Sequence, residues 1–267
     1  MTTSGTTASD TGVQSASSKR AVRIATSVLL ALLAVIQMLH MHIPDEVHEV
    51  AGVLFGVVLV VHIVQHSSWF KALAKGKWNA LRVVNALVID CLVLCACAML
   101  ASGLAMSGWA VALGATGSGI ARAIHLPLVH IGFCLLALHA GLQMHRVVSK
   151  VRTKDCDSNG SGGNSDKNAG NSGSGNSNNS SSGSGTNDGN VLRTITVLAL
   201  VAIAAFAVWS IADLDFVGYI LGTTGFAFID PSKPVVLSAL QYLAIFILFA
   251  SIGCGVIRIL HRSAKMN

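Results

Sequence analysis

Residues 47–67 read VHEVAGVLFGVVLVVHIVQHS, an apolar run with one charged side chain, Glu49, and three histidines, His48, His62 and His66. A bilayer crossing needs about 20 predominantly apolar residues, and this stretch supplies them. Hydrocarbon offers no water to backbone N–H and C=O groups, so a continuous apolar run must satisfy them internally, as a helix. Five further runs of this kind lie at about 22–39, 83–106, 124–146, 192–212 and 235–257, the second of them interrupted by Asp90. The whole chain agrees: 267 residues are 52% hydrophobic and only 11% charged, with mean hydropathy +0.65. That is too apolar for an ordinary soluble domain. Long continuous runs also exclude a membrane β-barrel, whose strands alternate. The expected fold is an all-α integral membrane protein with six spans.

The basic residues orient it, because Lys and Arg accumulate in cytoplasmic loops. With the N-terminus inside, 16 of the 18 Lys and Arg fall on the cytoplasmic side, leaving only Arg122 and Lys233 outside. Both termini are then cytoplasmic, in a cell membrane. This asymmetry accounts for the net charge of +6, and no basic-aromatic pattern points to nucleic acid. Residues 1–20 read as a disordered N-terminus, and the first span ends in QMLHMH at 37–42 without the small residues of a signal-peptide cleavage site. Residues 153–190 are rich in Ser, Gly and Asn, a composition that behaves as flexible coil. The domain reading is therefore a four-helix unit over 21–152, a cytoplasmic linker, and a two-helix unit over 191–267.

Histidine carries the functional signal, with 10 residues against 12 Asp and Glu. His48 and His62 lie 14 residues apart on span two, and His125 and His139 lie 14 apart on span four. At 100° and 1.5 Å per residue, each pair returns to within about 40° of one stripe and is separated by about 21 Å of rise. Spans two and four run in the same direction, so His48 and His125 share the outer level, and His62 and His139 the inner. Two helices, each giving one imidazole to each of two levels, match the axial ligation of two stacked, non-covalent b-type haems. Gly52 lies about 40° from His48 and Gly132 about 20° from His125, where backbone could approach a flat ring. The competing reading is close helix packing by small residues, including Gly52 and Gly56. His130 points away from the stripe, and His66, one turn from His62, is the alternate inner ligand.

At this point the chain resembles a known family. His48 to Gly52, then His62, then the stretch WFKALAKGKWNALR at 69–82, and the fourth span from His125 through Gly132 to His139 resemble the bacterial flavinylation-associated cytochromes. More remotely, both spans are similar to the paired-histidine helices of ferric reductases and respiratory cytochrome b. The resemblance covers about residues 25–150. It implies a membrane di-haem cytochrome passing electrons to an extracytoplasmic, covalently flavinylated protein or a related reductase. At the outer end of span four, His125 and His130 both stay eligible as the iron ligand.

With all four ligands supplied by histidine, no coordination position is left for substrate, and the chain is expected to conduct electrons from a cytoplasmic donor or a membrane quinol. Haem propionates need a cationic partner; Arg122 suits the outer level, and Arg82 or Arg146 the inner. Asp90 is ionisable at membrane depth, which suggests a proton or quinone site, with Asn85 as a companion, or a hydrogen bond to a neighbouring helix. His40 and His42 read as a solvated outer loop. The cysteines show no metal or redox spacing. A quinol-reactive anchor subunit of a dehydrogenase shares these features. A zinc or cation transporter would use His62 and His66 as a one-turn pair. However, the linker holds no histidine, and spans five and six offer only the edge carboxylates Asp213, Asp215 and Asp230.

Overall fold

The computed structural model describes residues 7–69, 78–114, 118–159, 185–225 and 233–266. The chain forms α1 (Thr7–Met38), a 3-10 turn over His40–His42, α2 (Asp45–Gln65), α3 (Ala80–Met106), α4 (Gly108–Ala112), α5 (Ser118–Asn159), α6 (Gly185–Asp213), α7 (Phe216–Leu221) and α8 (Val235–Met266). Among the described residues there is no strand. Six segments are long and apolar enough to cross a membrane: Ser18–Met38, Asp45–Gln65, Ala80–Met106, Gly119–Met144, Thr194–Asp213 and Val235–Leu260. The protein is thus an all-α, multi-pass membrane protein, with spans close to those expected.

Local chemistry places several of the helix ends. Asn79 caps α3, its side-chain oxygen accepting from the Arg82 N–H at 2.9 Å, and Ser107 caps α4 through the Ala110 N–H at 3.2 Å. Each satisfies a backbone donor that has no intrahelical partner. Asp45 and Glu46 occupy the first turn of α2, where negative charge complements the helix dipole. Gly222 closes α7 at φ +68, a left-handed conformation that costs glycine little.

α5 is the hub of the bundle, packed along α3 on one side and α8 on the other, while α6 leans on α8 and α1 on α2. α2 touches α3 lightly, and α2 and α5, the two helices that carry the paired histidines, have no substantial backbone contact with each other. Hydrophobic association is absent between helices in lipid, so close packing of small residues must hold the bundle together. The α5–α8 crossing shows how. A Cβ on Gly141 would collide with the Ala250 carbonyl, and one on Gly253 would lie 2.5 Å from the Leu138 oxygen. The Cys254 thiol donates to the Gly141 carbonyl at 3.2 Å beside them.

The expected division into two units therefore does not produce two cores. Leu33 and Met38 of α1, Phe55 of α2, Phe133 of α5, Phe216 of α7 and Ile245 of α8 belong to one buried cluster. The helices flanking the linker also extend into it, to Asn159 and from Gly185, and α1 begins at Thr7, inside the stretch expected to be disordered. Nucleation is the costly step of helix formation, so a membrane span that is already helical can propagate into weak helix formers. Residues 160–184 of the linker lie outside the described residues.

Candidate functional site

The 14-residue spacing places each histidine pair at opposite ends of its helix, giving the bundle a His48 end and a His62 end. At the His48 end, α2 begins at Asp45, so His48 lies in its first turns, half-buried. Glu49 beside it accepts from the Gly108 N–H at 2.8 Å, tying the start of α2 to α4. His125 of α5 is close enough to His48 for their charges to interact. The two levels of histidine read from the sequence thus meet at this end.

His125 is held by α3. Its Nδ1 lies 3.0 Å from the Met99 carbonyl oxygen and 3.1 Å from Ser102 Oγ. A carbonyl only accepts, so Nδ1 carries the hydrogen and the neutral ring keeps its lone pair on Nε2. Hydrogen bonding of the far nitrogen to a backbone carbonyl is the usual way a ligating imidazole is oriented. Ser102 is itself buried, with its hydroxyl 2.8 Å from the Ala98 oxygen. A Cβ on Gly103 would lie 3.0 Å from His125 Cε1, so glycine there lets the ring lie against α3. Sequence reading missed Met99, Ser102 and Gly103. The signal available was a Ser-Gly pair inside an apolar span.

His130 is engaged elsewhere. It is buried, donates from Nδ1 to the Leu126 carbonyl at 2.8 Å, stacks on Tyr219 of α7 at 4.7 Å and 8°, and meets the edge of Phe216 at 4.9 Å. His40 and His42 are not a solvated loop; both are half-buried. The His40 ring is 5.6 Å from that of His48, and His42 Nε2 is 3.4 Å from Ser238 Oγ on α8. The second helical unit covers this corner and keeps water off it. Burial first, then the neighbouring charges of His48, His130 and His125, push His40 down to about 4, with Asp45 opposing.

At the His62 end, support is local. The rings of His62 and His66 stand 4.5 Å apart at 31°, and His66 Nδ1 bonds the His62 carbonyl at 3.0 Å, all on one helix. His139 is half-buried on α5, two residues before the Gly141 crossing. Cross-helix polar contacts here come from other residues: Gln65 donates to Thr26 Oγ1 at 3.2 Å, and Gln143 to Asn85 Oδ1 at 3.0 Å. His48 and His62 each bury an Nδ1 with no hydrogen-bond partner. Buried polar atoms are normally paired, and an imidazole that rotates onto an axial ligand would relieve that cost.

The glycines of the ligand helices face neighbouring helices. A Cβ on Gly52 would meet Gln37 Nε2 of α1 at 2.9 Å, and one on Gly132 would meet Cys95 Sγ of α3 at 3.2 Å. Arg122 is exposed at the His48 end, and the Arg82 guanidinium lies 5.3 Å over the Trp78 ring. Asn85 is buried and bonded to Gln143, whereas Asp90 is exposed. Five residues separate them, about 140° around the helix, so they are not companions. The side chains of His145, Arg146 and His261, together with Asp230 and residues 70–77, lie outside the described residues. Among the described residues no three His, Cys, Asp or Glu side chains converge to hold a metal ion; an axial haem set takes two. Comparison with protein-family models, with curated proteins and with solved structures gives no match to this chain.

Proposed function

We propose that this protein is a b-type di-haem cytochrome that carries electrons across the membrane, with both termini cytoplasmic. The observation that carries the reading is His125: a half-buried imidazole whose Nδ1 is committed to the Met99 carbonyl, leaving Nε2 as a ligand, within electrostatic reach of His48 on a helix that does not pack against its own. Haem supplies reversible one-electron iron chemistry. The chain's residues do the rest. His48 and His125 would bind at one end and His62 and His139 at the other, while Met99 and Ser102 fix the His125 tautomer. The core of α1, α5 and α8 excludes water, which together with hydrogen bonding to the ligands sets the potential of such a centre.

Electrons would enter from a quinol or a cytoplasmic donor and leave at the His48 end toward an extracytoplasmic flavinylated protein or reductase. An oriented imidazole pair at each end gives the chain no open coordination position for substrate, so its role is conduction within an oxidoreductase system. The test is a reduced-minus-oxidised spectrum of the purified protein with haem quantified per chain. About two b-type haems are expected; a colourless, haem-free protein ends the reading. His125→Ala should remove one haem and His130→Ala neither, and the reverse result would move the ligand to His130.

A further inference from the structure

Asp90 belongs to no site inside the chain. It lies ten residues into the 27-residue α3, about 15 Å from one end and about 24 Å from the other, hence within the hydrocarbon. It is exposed there, and no described residue bonds to it. An ionisable side chain at that depth almost always faces a protein neighbour or a water-filled cavity. Here the surface around it is apolar: Leu87 and Leu94 flank it at 58% and 71% exposure.

The same face of α3 is built for close approach. Taking 100° per residue, Cys97 and Ala101 lie within about 20° of the Asp90 direction, with Leu94 and Leu104 within about 40°. All are exposed. Cys97, Ala101 and Ala105 repeat at four-residue intervals, the small-residue spacing that lets two membrane helices come together. The other face of α3 is already used, with Cys95 and Ser102 buried against α5. A carboxylic acid settles what the occupant must be. It is self-complementary, donating one hydrogen bond and accepting another, whereas a lysine or arginine at this place would repel its own copy. Two copies inserted in the same orientation and related by a two-fold axis along the membrane normal bring identical residues face to face.

We propose that α3 forms a parallel homodimer interface, with the Asp90 carboxyl of one copy hydrogen-bonded to that of the other and the Cys97–Ala101 stripe packed beneath. The inference does not rest on haem binding, and it is tested separately. The full chain in its native membrane is treated with copper(II)-phenanthroline, which accepts two electrons as two thiols release two protons and join as a disulfide. Dimer should form through Cys97, near the contact line, and survive Cys91→Ser, because Cys91 lies about 100° off that line; it should disappear with Cys97→Ser. Asp90→Asn, which still donates and accepts, should keep the cross-link, and Asp90→Leu should reduce it at least tenfold. Ala101→Leu changes an outward-facing residue that no helix of the same chain covers, so the fold is retained while the contact is blocked, and it too should abolish the dimer. Absence of a wild-type cross-link, equal cross-linking in Ala101→Leu and Asp90→Leu, or cross-linking only to a different protein would each overturn the proposal.

Discussion

The two ends of the bundle carry the same chemistry in sequence and different support in space. At the His48 end, His125 is oriented by hydrogen bonds from another helix, and His40, His42, Tyr219 and Ser238 close over it from three elements. At the His62 end, the contacts around the α2 histidine come from its own helix, through His66. Equal spacing thus fixes where imidazoles can be, and the surrounding packing fixes how firmly each is aimed. One physical consequence is that the two ends should respond differently to the same kind of perturbation.

The largest expected effect is on occupancy. His125→Ala and His62→Ala should each lower the haem content from about two per chain to about one, measured by the pyridine haemochrome of purified protein. If either variant loses both, the ends are not independent. Next, Gly253→Leu forces a side chain into the Leu138 carbonyl, and overpacking of this kind costs about 1–3 kcal/mol. Because the crossing lies beside His139, thermal melts should show reduced stability with the His62-end haem lost first. Loss of the His48-end haem first would reverse the comparison.

A third prediction concerns pH. His40 sits at about 4 in the fold against an ordinary 6.5, so below about 6.5 the unfolded chain takes up a proton that the folded chain refuses. Stability should be full above that value and decline as pH falls toward 4, and His40→Gln should flatten this part of the profile. Unchanged pH dependence in that variant would place the titration elsewhere. Smaller still, Ser102→Ala removes one hydrogen bond to His125, a contribution of about 1 kcal/mol. Redox titration should show the His48-end potential moved by no more than about 60 mV, a tenfold equilibrium shift for one electron, with the other unmoved. The smallest effect is Asn85→Leu, which breaks the bond to Gln143; membrane side-chain hydrogen bonds average about 0.6 kcal/mol, so the melting temperature should drop only slightly.

Much of this was legible in the residues, for specific reasons. Spans announce themselves because hydrocarbon tolerates almost no charge, and Glu49, Arg82, Arg122 and Asp213 mark their edges. The histidine pairs were legible because helical geometry converts a spacing of 14 into one stripe. The role of Gly132 was not, since rotation alone cannot say whether a glycine faces a ring or Cys95. Nor was the burial of His40 and His42, because the residues that cover them, Ser238 among them, are nearly 200 positions away in the chain. Asp90 looked like an internal site, and only its exposed position on α3 turned attention outward.

Composition and periodicity by themselves determined six membrane helices, the charge asymmetry across them, and four imidazoles at two levels. These follow from local rules: the length of a helix that spans hydrocarbon, the angle per residue, and the cost of a buried charge. Tertiary structure alone decided that the two helical units share one core through the Gly141–Gly253 crossing, that α3 orients His125, and that His130 turns to Tyr219. Those outcomes depend on which helix faces meet, and that is set by the fit of side chains distant in sequence, which no single helix encodes.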